Sequence, residues 1–252
     1  MNKKELLKGI RLEGVEVEAV EKVALFVDRL ESLYAERLLG ILLFGSAARG
    51  AYVPKRSNLN LLVALDRVGS RELLEYRKVR SEIEKFPIAT PLFLEPNYVR
   101  YSTDTFPLEF LDIRSFHTVL DGQNILESIT IDPKLLRLEL EREIKGKLLL
   151  ARQSFLEANG DSARLLGILS RSFAALRVIF FGIVYLRENR VVRDARELVE
   201  RVSEHFGLNP AALLGVGRAR SGELKPSKEE MEKTFFAYLE ELVRLAEKVD
   251  AI

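Results

Sequence analysis

Two short stretches of this chain carry residue types that could bind a phosphate or an ion. Gly45-Ser46 follows the apolar run 39–44, and Asn58-Leu59-Asn60 opens a second apolar run that ends at Leu65. Glycine lets the backbone approach a phosphate closely, and the amides and hydroxyl of Ser46 could donate hydrogen bonds to it. Residues i and i+2 of a strand share a face, so the oxygens of Asn58 and Asn60 could converge on one ion. The alternative is an ordinary turn beside a solvated strand end without a ligand.

The elements that must position these residues alternate between helix and strand in the first third of the chain. Apolar residues at helical spacing predict a first helix, and short apolar runs bounded by glycine, proline or turn residues predict strands. The predicted helices cover residues 17–34 and 70–86, and the predicted strands cover 39–44, 59–65, 89–94 and 106–113. We also expect a helix around His117, with a structural role for its imidazole.

Helix signals alone follow residue 130. Asp132-Pro133 is a typical helix start, and the helix should end at Asn159-Gly160. Asp161 or Ser162 should start the next helix, and Ser227 with Glu230 has capping-box spacing before a last one. Further helices are predicted over 193–205 and 210–215. The segregation of strands and helices indicates an α+β chain, with a mixed α/β domain over 1–131 and an all-α helical bundle over 132–252.

Composition excludes several classes of protein. The charge sum is 39 − 38 = +1, with 47% hydrophobic residues, which fits a globular chain and gives no electrostatic reason to expect nucleic acid. Absence of cysteine removes thiol chemistry and cysteine-bound metals, and two histidines are too few for a histidine-rich metal site. Arg171 and Arg177 interrupt the most apolar stretch, so we expect a bundle helix and no membrane span. We expect a cytoplasmic protein.

The order of the polar motifs resembles a known signature. An apolar strand, Gly45-Ser46, a spacer of eleven residues and Asn58-x-Asn60 follow one another here. The arrangement is similar to that of the DNA-polymerase-β-type nucleotidyltransferase superfamily, whose second strand carries Asp-x-Asp. Arg49-Gly50 and Ser57 stand where bacterial members often have Arg-Gly and Ser. The resemblance covers residues 38–131; the rest resembles more loosely the helical domain of small bacterial members such as the aminoglycoside nucleotidyltransferases.

The resemblance implies a nucleotidyltransferase-like fold with nucleotide contacts at Gly45, Ser46, Arg49 and Ser57. In that family two aspartates and a third carboxylate from a later strand hold two magnesium ions. Asn58 and Asn60 replace the aspartates here. The third position looks like Glu109, since Asp112 would face the other side of the predicted strand and Glu95 stands against a proline. Amides lack the charge that offsets desolvation of a divalent cation, so a degenerate site is expected.

Three functions stay open at this point. The first is a catalytically inactive pseudoenzyme that binds a nucleotide or a protein partner and needs no cofactor. The second is an active transferase that uses magnesium with ATP to move a nucleoside monophosphate onto a hydroxyl, with Glu109 and amide ligands. The third is an antitoxin-like interaction module. Two-domain relatives often dimerise, so a homodimer is also an expectation.

Overall fold

The structure is a computed structural model that describes residues 15–54, 57–83, 87–221 and 227–251. The first half of the chain alternates helices with strands. Its helices are α1 (Val17–Tyr34), α2 (Ser70–Ile83), α3 (Pro96–Tyr101) and α4 (Pro107–Ser115), and its strands are β1 (Leu38–Phe44), β2 (Asn60–Leu65), β3 (Leu92–Leu94) and β4 (His117–Gly122). The expected end of α2 near Phe86 lies outside the described residues.

The four strands form one mixed sheet in the order β3-β2-β1-β4. Strand β1 lies in the middle and pairs antiparallel with both β2 and β4, whereas β3 runs parallel to β2. Four consecutive buried residues in β1 and five in β2 show that these strands are covered on both faces. That pattern explains why their sequences read as continuous apolar runs.

Helix α1 packs its apolar stripe into the same core as the sheet. Val23, Val27 and Leu30 recur at helical spacing and are fully buried with Ile41 and Val63. At the start of α2 the buried carboxylate of Glu72 accepts a hydrogen bond from the Gly69 amide at 3.0 Å. These contacts stabilise the unit whose sheet carries the Gly-Ser and Asn-x-Asn motifs.

Two predicted elements differ from the structure. Residues 106–113 were expected to form a strand, but Pro107–Ser115 is the helix α4. His117 was expected on a helix, but it begins strand β4. Pro107, Leu108, Phe110, Leu111 and Ile113 are all buried. A segment buried on nearly every side shows neither strand nor helix periodicity clearly, so packing decided its conformation.

The second half of the chain is helical, as the sequence predicts. The helices are α5 (Pro133–Ala158), α6 (Ser162–Glu188), α7 (Ala195–Phe206), α8 (Pro210–Ser221) and α9 (Lys228–Lys248). The Asp132 side chain caps α5 through the Lys134 amide, and Asp161 caps α6. Ser227 and Glu230 form the expected capping box at the start of α9. Local cap signals therefore located these helix starts correctly.

Helix α6 is the central helix of this half. It contacts α5, α7, α8 and α9, and Leu169, Leu176 and Ile183 are fully buried along it. By length and composition alone α6 could also span a membrane, a test that core helices of bundles pass as well. Its most apolar window is 44% buried.

The chain divides into two compact units. One comprises residues 1–105 and 109–130, and the other comprises 106–108 and 131–252. The short piece 106–108 holds the start of α4, where the Leu108 amide donates a 2.8 Å hydrogen bond to the buried carboxylate of Glu139 in α5. Every predicted site residue belongs to the first unit.

Candidate functional site

The end of β1 lies beside the starts of β2 and β4, and the two polar motifs meet there. We call this end of the sheet the sheet edge. Phe44, the last residue of β1, pairs with Asn60, the first residue of β2. Gly45 follows directly, and its backbone touches the Asn60 amide so closely that a Cβ there would lie 2.6 Å from Nδ2. Asn60 is half-buried and Asn58 is exposed. The structure therefore brings Gly45 and Asn60 into contact, and the assignment of a ligand site to these positions stays a prediction.

A tight turn leads out of β1. Gly45 has φ of +77°, a conformation that glycine adopts without strain. The turn closes through the Arg49 amide, which donates to the Gly45 carbonyl at 3.1 Å, and the Ala51 amide, which donates to the Ser46 carbonyl at 2.8 Å. Ser46 is half-buried in the first residues of this turn. Its hydroxyl and the exposed rim of the turn could receive a polar ligand.

Two local contacts anchor the rest of the loop. The Val53 amide donates to Ser57 Oγ at 3.1 Å, and the Ser57 amide donates to the Val53 carbonyl at 2.9 Å. Tyr52 is buried in the core of this unit, and its burial raises the pKa of its phenol. The predicted nucleotide contact Ser57 thus already accepts a hydrogen bond within the loop.

The segment that pairs with Leu59, between the two asparagines, is described from Pro87 onward, and its residues 87–90 carry no carboxylate. The Leu59 amide donates to the Pro87 carbonyl at 2.8 Å, and the Ala89 amide donates to the Leu59 carbonyl at 3.0 Å. Leu59 and Ile88 form a parallel bridge. The residues next to Asn58 and Asn60 on that side are therefore Pro87 to Thr90, which carry no metal-binding side chain of the carboxylate type.

Glu109 does not occupy the strand position expected of it. It lies exposed on helix α4, outside the sheet that carries Asn58 and Asn60. The expectation of a strand there was wrong, and with it the reason for placing Glu109 on the face of the asparagines. Glu95 was the other carboxylate weighed as a third metal ligand, and it lies immediately before α3. Its carboxylate accepts a 2.7 Å hydrogen bond from the Val68 amide.

Arg49 is held in a buried ion pair. Its guanidinium contacts the carboxylate of Asp112 in α4 and lies over the Phe116 ring, 4.0 Å from the ring centre. The side chains of Arg49 and Asp112 are only 5% and 15% exposed. Arg49 therefore ties the Gly45 turn to α4, which is a structural role that the sequence did not reveal. Its predicted contact with a nucleotide would have to compete with this pairing.

His117 reaches the same edge of the sheet, and sequence reasoning missed it. It pairs with Phe44 on the side opposite Asn60, so the Cα atoms of His117 and Asn60 are about 10 Å apart. Its Nδ1 lies 3.1 Å from the Ile113 carbonyl and 3.0 Å from the Arg114 carbonyl. Carbonyls only accept, so Nδ1 donates and a neutral ring has its acceptor at Nε2. The β-branched residues Thr118 and Val119, followed by a turn signal at Gly122, could have predicted a strand here.

The donor set of this edge does not suit a pair of magnesium ions. Among the residues that the structure describes, no group of three histidine, aspartate or glutamate side chains could hold a metal. Among the described residues, the polar side chains at these strand ends include the amides of Asn58 and Asn60, the hydroxyl of Ser46 and the imidazole of His117. Magnesium is held in proteins mainly by carboxylates and substrate phosphates. The arrangement suits hydrogen bonding to a polar ligand.

Comparisons with known proteins bear on the fold. No protein-family model matches the chain, and no curated protein matches it. Among solved structures, the chain is similar to the crystal structure of spectinomycin adenyltransferase AAD(9) from Enterococcus faecialis with ATP and spectinomycin. The TM-score is 0.56 at 12% sequence identity, over 91% of this chain and 100% of that chain. At this identity the likeness shows the fold alone: the chain has a nucleotidyltransferase-like fold.

Proposed function

We propose that this protein is a pseudoenzyme of nucleotidyltransferase-like fold, which binds a nucleotide or a partner without two-metal nucleotidyl transfer. The observation that supports this most directly is the chemistry of the sheet edge. Asn58 and Asn60 present neutral amides, and the neighbouring residues Pro87 to Thr90 add no carboxylate.

Electrostatics explains why the amides matter. A divalent cation loses hydration when it binds, and ionised carboxylates offset that loss. An asparagine oxygen can coordinate a cation, but it brings a dipole where an aspartate brings a full charge. Two such replacements remove two negative charges from the edge, together with any carboxylate base at those positions. We therefore expect weak magnesium affinity and no useful rate of transfer.

Nucleotide binding is the ligand function that the edge could retain. The turn after Gly45 offers the half-buried hydroxyl of Ser46, which could donate a hydrogen bond to a phosphate. The Asn60 amide fills the space beside Gly45 and could also donate a hydrogen bond there. The similar solved structure is one with ATP, which makes ATP the first nucleotide to test. A phosphate held only by neutral hydrogen-bond donors would bind without requiring magnesium.

A titration of the full chain with ATP, with and without magnesium, tests the proposal. We expect ATP to raise the melting temperature equally in both conditions, because the ligand stabilises the folded state by mass action and no metal takes part. We also expect no transfer of label from radiolabelled ATP to the protein or to an added aminoglycoside. The variant Ser46→Ala should weaken the ATP effect, whereas Ser128→Ala, an exposed serine elsewhere in the first unit, should leave it unchanged.

The other outcomes identify the competing functions. A stabilisation that appears only with magnesium, or any catalytic label transfer, would show an active transferase and refute the pseudoenzyme. If ATP has no effect on the melting temperature, nucleotide binding is refuted and the interaction module is the remaining function. An equal response from the Ser46 and Ser128 variants would place the nucleotide away from the Gly45 turn.

A further inference from the structure

His117 has one ring nitrogen committed to the protein and one that is not. Its Nδ1 lies 3.1 Å from the Ile113 carbonyl and 3.0 Å from the Arg114 carbonyl, in the last turn of α4. Among the residues that the structure describes, none forms a hydrogen bond with Nε2. The bonds to α4 hold the ring in place, so Nε2 of the neutral ring is a hydrogen-bond acceptor in a fixed position.

Strand pairing places this acceptor on the face of the sheet that carries Asn60. Phe44 pairs with Asn60 on one side and with His117 on the other. Directly paired residues of antiparallel strands point to the same face, so the three side chains form one row with Phe44 in the middle. All three are half-buried. The row therefore lies at the sheet edge, next to the turn that begins at Gly45.

The three members of the row offer a ligand different contacts. At one end Nδ2 of Asn60 lies against Gly45, and Ser46 follows in the chain, so this end supplies hydrogen-bond donors. In the middle the ring of Phe44 supplies an apolar surface. At the other end Nε2 of His117 supplies an acceptor. A matching ligand has an acceptor such as a phosphate, then an apolar surface, and then a group that donates.

A nucleotide carries these groups in the same order. Paired Cα atoms of neighbouring antiparallel strands are about 5 Å apart, so those of Asn60 and His117, on either side of Phe44, are about 10 Å apart. In a nucleoside triphosphate the phosphates accept hydrogen bonds, and the ribose hydroxyls are the donors nearest to them. The amine of adenine also donates, but it lies beyond the ribose. A phosphate at the Ser46 end therefore leaves a ribose hydroxyl as the donor nearest to His117.

From this arrangement we infer that His117 is a specificity-determining residue of the nucleotide site, whose Nε2 accepts a hydrogen bond from a ribose hydroxyl. The site then prefers ribonucleotides to nucleotides without this hydroxyl, because a half-buried acceptor left without its donor disfavours binding. The inference rests on the proposed function, since it requires a nucleotide at the Gly45 turn. It adds to that proposal a residue of β4 and a preference for one kind of sugar.

Two substitutions separate this role from that of a simple cap on the end of α4. The amide nitrogen of asparagine lies near the position of Nδ1, so His117→Asn keeps a donor for the α4 carbonyls and removes the group at Nε2. The amide of glutamine lies near the position of Nε2, so His117→Gln keeps an acceptor for the ligand and loses the bond to α4. If His117 is only a cap, the glutamine variant alone should change the chain, by lowering its stability.

Calorimetric titration of the full chain with ATP and with 2′,3′-dideoxy-ATP tests the inference, without magnesium and at about pH 8, where imidazoles are generally neutral. We expect ATP to bind at least about fivefold tighter than the dideoxy nucleotide, and this preference to fall below about twofold in His117→Asn. His117→Gln should retain part of the preference. The matched control His205→Asn removes the other histidine, which lies in the second unit, and should keep the full preference. Circular dichroism should confirm that each variant is folded.

Equal affinities of the unaltered chain for ATP and dideoxy-ATP would overturn the inference, and so would a preference that survives in His117→Asn. If His117→Asn instead changes the preference between ATP and inosine triphosphate, which lacks the adenine amine, Nε2 contacts the base and the ribose contact is refuted. ATP binding that weakens in Ser46→Ala, without any preference for the ribose hydroxyls, would leave the proposed function intact and overturn this inference alone. If neither nucleotide binds the unaltered chain, nucleotide binding itself is refuted and the inference fails with it.

Discussion

The amide of Asn60 packs against the backbone of Gly45, and the positive φ of Gly45 lets the chain turn at that contact. The relationship joins the two sequence motifs: Gly45 and Asn60 are fifteen positions apart in the chain and adjacent at the sheet edge. It also shows how close a side chain at position 60 stands to any ligand received by the Gly45 turn. Charge at this position would therefore act directly on a bound phosphate or cation.

Carboxylates at positions 58 and 60 should create a magnesium-dependent site. In the double variant Asn58→Asp with Asn60→Asp, the sheet edge gains two negative charges, and we expect magnesium to enhance ATP binding where it does not in the unaltered chain. Isothermal titration calorimetry with ATP, with and without magnesium, measures the change. The control Asn97→Asp with Gln153→Glu adds the same charge at exposed positions. If both pairs behave alike, a general charge effect explains the result and the site argument fails.

Adding a methyl group at Gly45 should destabilise the chain through two separable effects. Gly45→Ala forces a non-glycine residue to φ near +77°, which costs about 1–2 kcal/mol, and it displaces the Asn60 amide. In an Asn60→Ala background the second effect disappears, so urea denaturation should show a coupling of about 0.5–1 kcal/mol. Additive losses would contradict the contact.

The helical Gly146 provides a comparison for that substitution. Apart from its chain neighbours and the backbone of its own helix, no described atom lies within 4 Å of a Cβ added at Gly146. Gly146→Ala should therefore stabilise the chain by up to about 1 kcal/mol through helix propensity. Opposite signs for the two glycine variants would separate backbone strain from a general effect of the added methyl group.

Breaking the buried ion pair of Arg49 and Asp112 should cost more than removing both partners. Asp112→Asn leaves the guanidinium buried over Phe116 without its counter-charge, and we expect a loss of about 3–5 kcal/mol. The double variant Arg49→Met with Asp112→Leu removes both charges and should lose less. Chemical denaturation gives the free energy of unfolding of the unaltered chain, of these two variants and of the comparison variant Arg71→Ala. An Asp112→Asn loss no larger than that of exposed Arg71→Ala, about 0–1 kcal/mol, would show that the pair contributes little.

Stability should fall at alkaline pH because several tyrosines are buried, among them Tyr34 and Tyr238. Burial raises the pKa of Tyr34 and of Tyr238 well above the usual value near 10. The folded chain then keeps their protons while the unfolded chain releases them. Their contribution to stability is present below about pH 10 and is lost as pH rises further.

Phenylalanine variants and tyrosinate absorbance check this dependence. Tyr34→Phe and Tyr238→Phe should each make the alkaline loss of stability less steep, although each also removes a hydrogen bond worth about 1 kcal/mol. Tyr101→Phe should not alter the steepness, because that side chain is 65% exposed. Full ionisation of all seven tyrosines while the chain remains folded would contradict the prediction.

The sequence by itself determined the local elements whose signals lie within a few residues. Asp132-Pro133, Asp161 and the Ser227–Glu230 capping box marked helix starts correctly, because caps satisfy backbone groups of the same turn. Strands β1 and β2 were evident from apolar runs, and the motif resemblance predicted the nucleotidyltransferase-like fold. The neutral chemistry of Asn58 and Asn60 was also readable, since it depends on residue type alone.

Tertiary structure decided what depends on neighbours distant in sequence. Residues 106–113 are apolar enough for either a strand or a helix, and burial within the fold made them α4, which moved Glu109 off the sheet. Pairing with β1 made a strand of the segment after His117 and brought that imidazole to the sheet edge. The pairing of Arg49 with Asp112 likewise exists only because α4 lies against the Gly45 turn. Strand pairs and buried ion pairs join residues far apart in the chain, so no local pattern can encode their partners.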